Sequence, residues 1–170
     1  PEYIAVAFDT GAPTFRDEMD AEYKAGRKET PDVFSSQLPL IHEVLDALAV
    51  PTLEVGGVEA DDVIATLAEQ AAGEGIDTVI VTGDRDTYQL VRDPHVKVLY
   101  NRRGVSDYSL YDEAGIFERT GVTPAQYPEY AALRGDPSDN LPSIPGVGEK
   151  TASKWVREFG SLEQLVARVD

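Results

Sequence analysis

"DTVIVTGDRD", residues 77–86, packs five β-branched residues, Thr78 to Thr82, ahead of Gly83 and two carboxylates, Asp84 and Asp86, separated only by Arg85. Branched side chains suit a pleated, packed surface, so 77–82 predicts a core strand. Desolvating unpaired acids at its tip is costly. Either water takes them, as on any loop, or positive charge gathers there.

Working outward, "EYIAVAFD" (2–9) reads as a buried strand ending in Asp9. Thr30-Pro31 predicts a helix start, with Thr30 as cap and Pro31 in the first helical position. Leu38, Ile41, Val44, Leu45 and Leu48 share one face of it, and Pro51 lies past its end. "TLEV" (52–55) predicts a short strand. After Gly56-Gly57 comes a helix with Val63, Ile64, Leu67 and Ala71 inward, closed by Gly73 and Gly75. A short helix over 85–91, the strand "VKVLY" (96–100), a turn at Arg103-Gly104 and a further strand follow. This rhythm predicts an α/β fold whose mainly parallel central sheet is flanked by helices. Past residue 111 only short helices are expected. The chain therefore divides into an α/β core, 1–111, with an irregular arch over 10–30, and a helical portion, 112–170.

At 170 residues, 42% of them hydrophobic, the chain can bury a sizeable core. No apolar run approaches a membrane span, and no signal-peptide pattern opens the sequence. Without cysteine, thiolate metal sites and disulfides are excluded; this is compatible with a cytoplasmic protein. A net charge of −16, from 31 acids against 15 bases, repels polyanions unless divalent cations reverse the local field or the bases are concentrated.

Acids do recur at three strand ends. Asp9 closes the first; Glu59, Asp61 and Asp62 in "EADD" follow the second; Asp84 and Asp86 follow the third. Ligands of open parallel sheets bind beyond the carboxyl ends of strands. A fourth group, Asp136 and Asp139, lies in the turn "GDPSDN". Each cluster alone reads well as helix capping or turn chemistry. Together they cannot all stay ionised without cations. Carboxylate oxygens select hard ions, Mg²⁺ or Mn²⁺, and two such ions about 3.5–4 Å apart suit phosphoryl transfer. An EF-hand from Asp84 fails at Gln89 and His95, no glycine-rich loop carries a phosphate-binding lysine, and His42 lacks ligand spacing.

Bases collect in two places. Arg16, Tyr23, Lys24, Arg27 and Lys28 lie in the arch, diluted by Asp17, Glu18, Asp20 and Glu22; a tyrosine between cations can stack on a base while its neighbours meet phosphates. In "LPSIPGVGEKTASKW" (141–155), Gly146 and Gly148 permit a tight hairpin before a helix that begins at Glu149 and carries Lys150 and Lys154. This is the pattern of a helix-hairpin-helix, which grips DNA backbone without reading sequence.

"VAFD…FR…YKAGR", "EADD", "TGDRDTYQL", "GDPSDN" and "IPGVGEKTA", in this order, resemble the 5′-nuclease domains of bacterial DNA polymerase I and the wider flap endonuclease family. The likeness runs from about residue 4 to 168. It implies a divalent-metal-dependent 5′ nuclease acting on DNA flaps, branched duplexes and 5′ ends in primer removal and repair. A polymerase domain in the same parent chain and a place in the bacterial cytoplasm with the nucleoid are part of that expectation. By this resemblance Asp9, Glu59, Asp61, Asp62 and Asp84 match acids around a first metal, and Asp86, Asp136 and Asp139 those around a second. Asp9, Lys24, Arg27 and Asp84 would be catalytic. Arg16, Tyr23, Lys24, Arg27, Gly146, Gly148, Lys150 and Lys154 would bind DNA, with K⁺ at the 142–148 hairpin. Family members carry a further strand and metal-binding aspartate upstream of where Pro1 stands. The expectation is therefore a fragment lacking the family's first strand and inactive alone. The alternative is a DNA-binding module that keeps the fold without chemistry.

Overall fold

The computed structural model describes residues 1–27, 30–104 and 106–168, so Lys28 lies outside the described residues. The chain forms two compact units, residues 1–64 with 138–140, and residues 65–137 with 141–170.

In the first unit, β1 (Val6–Phe8) pairs in parallel with β2 (Thr52–Glu54), Ala7 opposite Leu53. The strand expected over 2–9 is thus three residues long and half-buried, with Tyr3 and Ile4 exposed. α1 (Phe15–Met19) starts at a capping box: Thr14 N–H donates to the Asp17 carboxylate (2.7 Å), and Arg16 N–H donates to Thr14 Oγ1. That carboxylate is held below its usual range by the backbone bond from Thr14.

The helix predicted from Thr30 is broken in two, α2 (Asp32–Ser35) and α3 (Leu38–Ala47), and Pro31 rather than Thr30 occupies the cap position. Pro39 explains the break. It has no N–H to offer the Ser35 carbonyl four residues back, and suits only the first turn of a new helix. The apolar face of α3 stays largely open, with Val44 57% and Leu48 67% exposed. His42 stacks on Phe8 (4.4 Å between ring centroids) and faces Glu54 at 3.6 Å, a packing role.

α4 (Ala60–Gly73) contributes its first residues to this unit and the remainder to the second. Its buried residue is Ala68, whereas Leu67, expected inward, is exposed.

In the second unit β3 (Thr78–Thr82) pairs in parallel with β4 (Val96–Arg103), and β4 pairs antiparallel with β5 (Asp107–Tyr111). A 3₁₀ turn, Asp86–Leu90, stands where a short helix was expected. The β-branched strand that decides the fold is one-sided. Ile80 is buried, while Val79 and Val81 on the alternate face are exposed. The strands thus pair as two sheets, β1-β2 and β3-β4-β5, both containing parallel neighbours flanked by helices.

Four helices complete this unit: α5 (Glu113–Thr120), α6 (Tyr127–Arg134), α7 (Glu149–Phe159) and α8 (Leu162–Val166). Its core is Ile80, Tyr88, Val96, Val98, Ile116, Val122, Tyr127, Leu133 and Val156, the largest being fully buried. At the end of α6 the backbone reverses at Gly135 (φ +71°). A Cβ there would stand 2.6 Å from Ser143 N and 2.7 Å from the Pro142 carbonyl. Among the described residues, no helix is long and apolar enough to cross a membrane.

Candidate metal and nucleic-acid site

In the first unit the arch places its cations on the acids. Arg16, on α1, makes a bidentate pair with Asp62 in the first turn of α4 (2.7 and 2.8 Å). The hydrogen bonds from Arg16 hold the Asp62 carboxyl below its usual range. Lys24 Nζ donates to Glu59 at 2.6 Å. Arg27 Nη2 donates to the Asp139 carboxylate and Arg27 Nε to the Ser138 carbonyl (3.4 Å). Tyr23 Oη reaches both Asp139 (3.2 Å) and Glu59 (3.4 Å). Burial, then the charges of Asp139 and Glu59, push this phenol above its ordinary value, so it remains a protonated donor.

The arch backbone is tied in as well. Lys24 N–H donates to the Asp139 carbonyl (2.9 Å), with Lys24 at φ +56°, and Asn140 Nδ2 donates to the Glu22 carbonyl (2.8 Å). A segment readable as a solvated loop is therefore held at both its side chains and its main chain. Asp9 is exposed and accepts from Ala60 N–H at 2.7 Å, an N-terminal cap for α4. Asp61 is half-buried in the same first turn.

In the second unit Asp84 organises its own turn. Its carboxylate accepts from Asp86 N–H (2.8 Å), and its carbonyl accepts from Thr87 Oγ1 (2.7 Å). This Asx turn exposes Asp84 and leaves Asp86 half-buried. Asp136 pairs its backbone with Leu141 and stands 3.9 Å from Arg134. Among the described residues, no group of three or more His, Asp and Glu is gathered closely enough to hold a metal ion. Glu59, Asp62 and Asp139 instead meet bases of the chain itself.

The hairpin forms as its glycines suggest, with one reassignment. Val147 N–H closes the turn on the Ile144 carbonyl (2.9 Å), and Gly146 takes the left-handed conformation (φ +81°). Gly148 caps α7 in ordinary extended backbone (φ −103°), and a Cβ there would meet nothing within 4 Å. Gly148 is thus not required by its own conformation. Lys150 and Lys154 are exposed, one helical turn apart.

Sequence reading missed a second set of cations, Arg85, Arg119 and Arg134, which line a cavity with Tyr88, Tyr127 and Tyr130. They come from three separate stretches without shared spacing, so no motif marked them.

The fold is a mixed α/β core followed by short helices, two of them flanking the turn closed by Val147 on Ile144. The profile "5'-3' exonuclease, N-terminal resolvase-like domain" matches residues 1–121, and "5'-3' exonuclease, C-terminal SAM fold" matches 122–170. The chain belongs to the 5′-3′ exonuclease family. It is similar to DNA polymerase I of Mycobacterium bovis, 56% identical over 170 residues, and to DNA polymerase I of Bacillus caldotenax, 45% identical. In both cases all of this chain covers 19% of the relative. The chain therefore spans about a fifth of the curated relatives it matches. Its fold is that of the T5 D15 protein co-crystallised with metal ions (TM-score 0.81, 24% identity, 98% of this chain and 65% of that one). The catalytic core of Rad2 in complex with a DNA substrate aligns less closely (TM-score 0.59, 22% identity, 94% and 48%).

Proposed function

We propose that the chain is the nuclease portion of a divalent-metal-dependent, structure-specific 5′ nuclease that hydrolyses phosphodiester bonds in DNA flaps and at 5′ ends, in primer removal and repair. In this reading residues 1–111 form the catalytic core and 112–170 the duplex-gripping portion, within a longer bacterial cytoplasmic protein that carries a polymerase domain. One observation carries it: arch cations seated on three candidate acids, Lys24 on Glu59, Arg27 on Asp139 and Arg16 on Asp62. A carboxylate site that already attracts cations, with bases that can pass from it to phosphate, is what phosphate handling needs.

The donor set is all carboxylate oxygen, which suits Mg²⁺ or Mn²⁺ and excludes thiolate-seeking ions. Asp9, Glu59, Asp61, Asp62, Asp84, Asp86, Asp136 and Asp139 are the carboxylates that would hold such ions. Bound there, such ions supply an activated water and charge for the leaving oxygen. The chain's own groups do the positioning. Lys24 and Arg27 exchange their carboxylates for phosphate oxygens as DNA enters, and Tyr23, kept protonated, donates to the strand. Arg16 leaves Asp62 in the same way, so that this carboxylate is open to the ion. Gly146, Gly148, Lys150 and Lys154 hold duplex backbone, and the carbonyls of 142–148 would hold K⁺.

The same ion pairs favour a second reading, a DNA-binding module whose acids are neutralised internally. The two readings separate on Asp86→Asn in the protein carrying this chain. Cleavage of a 5′-flap substrate in Mn²⁺ should fall at least a hundredfold, while flap binding in Ca²⁺ stays within threefold. Cleavage within a few-fold of wild type removes Asp86 from the metal site; no cleavage by the wild type favours the module.

A further inference from the structure

Two kinds of bond hold the arch. Ion pairs join Lys24 to Glu59 and Arg27 to Asp139, and these are the bonds that an incoming phosphate would break. Neutral bonds form the second kind, and they tie the arch to residues 139–140, which belong to the same unit. Lys24 N–H donates to the Asp139 carbonyl (2.9 Å), and Asn140 Nδ2 donates to the Glu22 carbonyl (2.8 Å). Donors thus cross the junction in both directions. An amide on a carbonyl carries no net charge, so salt does not screen it, and a phosphate or divalent ion competes for it far less than for an ion pair.

Asn140 grips the turn that aims Lys24. The Glu22 carbonyl accepts from Ala25 N–H (3.0 Å) as well as from Asn140, so one atom both closes the turn 22–25 and anchors it. Arg27 N–H donates in its turn to the Lys24 carbonyl (3.0 Å), which carries the constraint on to the second base. Backbone conformation marks the same place. Among the described residues three non-glycine residues have positive φ, and two of them, Lys24 (+56°) and Asn140 (+59°), meet at this junction. Asparagine visits left-handed backbone readily, whereas a lysine there has to be held by its surroundings. Asn140 is itself exposed, so its side chain contributes little to the core.

We propose that Asn140 is a positioning residue for phosphodiester cleavage, its side chain keeping the arch turn latched to residues 139–140 while Lys24 and Arg27 pass from carboxylate to phosphate. The two bases then reach DNA by side-chain rotation alone, above the acids they have just left. An arch released from Asn140 would keep its charge, but Lys24 and Arg27 would have no fixed origin relative to Asp139, and misplacing a group by about 1 Å can cost about a hundredfold in rate. The inference rests on the nuclease reading above.

Asn140→Gly in the protein carrying this chain tests it, since glycine adopts the same left-handed backbone and only the amide is lost. Steady-state cleavage of a 5′-flap substrate in Mn²⁺ should show kcat lowered about tenfold with KM within about threefold, because Lys150 and Lys154 are untouched. In chelator, hydrogen exchange of amides in 20–27 should be about tenfold faster in the variant than in the wild type. The wild type should keep that protection with Ca²⁺ and flap DNA bound. Unchanged exchange in the variant, an unchanged kcat, or a raised KM alone overturns the proposal, as does loss of wild-type protection when DNA binds. A lowered melting temperature with exchange raised throughout the first unit makes Asn140 a stabilising residue and overturns it too. No cleavage by the wild type overturns the nuclease reading and this one with it, whereas equal kcat in the two proteins removes the latch alone.

Discussion

Arg16 and Lys24 both carry one positive charge, but the geometry they meet differs. Arg16 offers a planar fork to both oxygens of Asp62, whereas Lys24 places a single ammonium on Glu59. Arg16→Lys keeps the charge and loses one of the two bonds. The arch should then loosen, and limited proteolysis within residues 20–27 should speed up by several-fold relative to wild type. An unchanged cleavage rate would mean that the main-chain bonds from Lys24 and Asn140 suffice to hold the segment. Gly135 is constrained more severely. Its positive φ and the 2.6 Å approach of Ser143 N to any Cβ leave no room for alanine without moving backbone. Gly135→Ala should destabilise by about 2–4 kcal/mol, lowering the melting temperature by roughly 5–15 °C. A melt within 2 °C of wild type would show that the Pro142–Ser143 backbone yields easily.

At the scale of elements, the hairpin before α7 separates two uses of glycine. Gly146 is needed by the turn, whereas Gly148, the N-cap of α7, has ordinary extended backbone and no described atom within 4 Å of its Cβ position. Gly146→Val should therefore cost stability, about 1–2 kcal/mol for a left-handed non-glycine residue. Gly148→Val should melt like wild type yet bind duplex DNA at least fivefold more weakly, since its Cβ would stand where a phosphate approaches the α7 N-terminus. Fluorescence anisotropy with a blunt duplex, beside thermal melts, checks both. If Gly148→Val kept full affinity, backbone contact at this hairpin would not be how DNA is held.

For the whole molecule the governing quantity is the net charge of −16, which opposes DNA everywhere except where cations collect. Arch bases occupied by Glu59, Asp62 and Asp139 are unavailable to phosphates until something else neutralises those acids. DNA affinity should thus be linked to divalent ions. In chelator at physiological salt, binding of a flap substrate should be at least tenfold weaker than in millimolar Ca²⁺, which supports binding without turnover. Equal affinities in the two conditions would show that Lys150, Lys154 and the hairpin hold DNA without help from the acids.

The strand at 78–82, the β-α-β rhythm, the break from sheet to helices past residue 111 and the hairpin at 142–148 were all determined by the sequence itself. Each rests on local chemistry, branched side chains, glycine conformations and helix caps, that acts over a few residues. The acidic clusters were legible for the same reason, as carboxylates at strand ends and turns. Tertiary structure alone decided which partners those acids take. Ion pairs such as Arg27 with Asp139 join residues more than a hundred positions apart, and no spacing rule encodes them. It also decided that Val79, Val81 and the α3 face lie open, because burial depends on what packs across an element and not on the element's own pattern. The three arginines and Tyr127 became a single cavity only by folding. Each belongs to a different element, and an isolated arginine in a sequence carries no sign of the others it will meet.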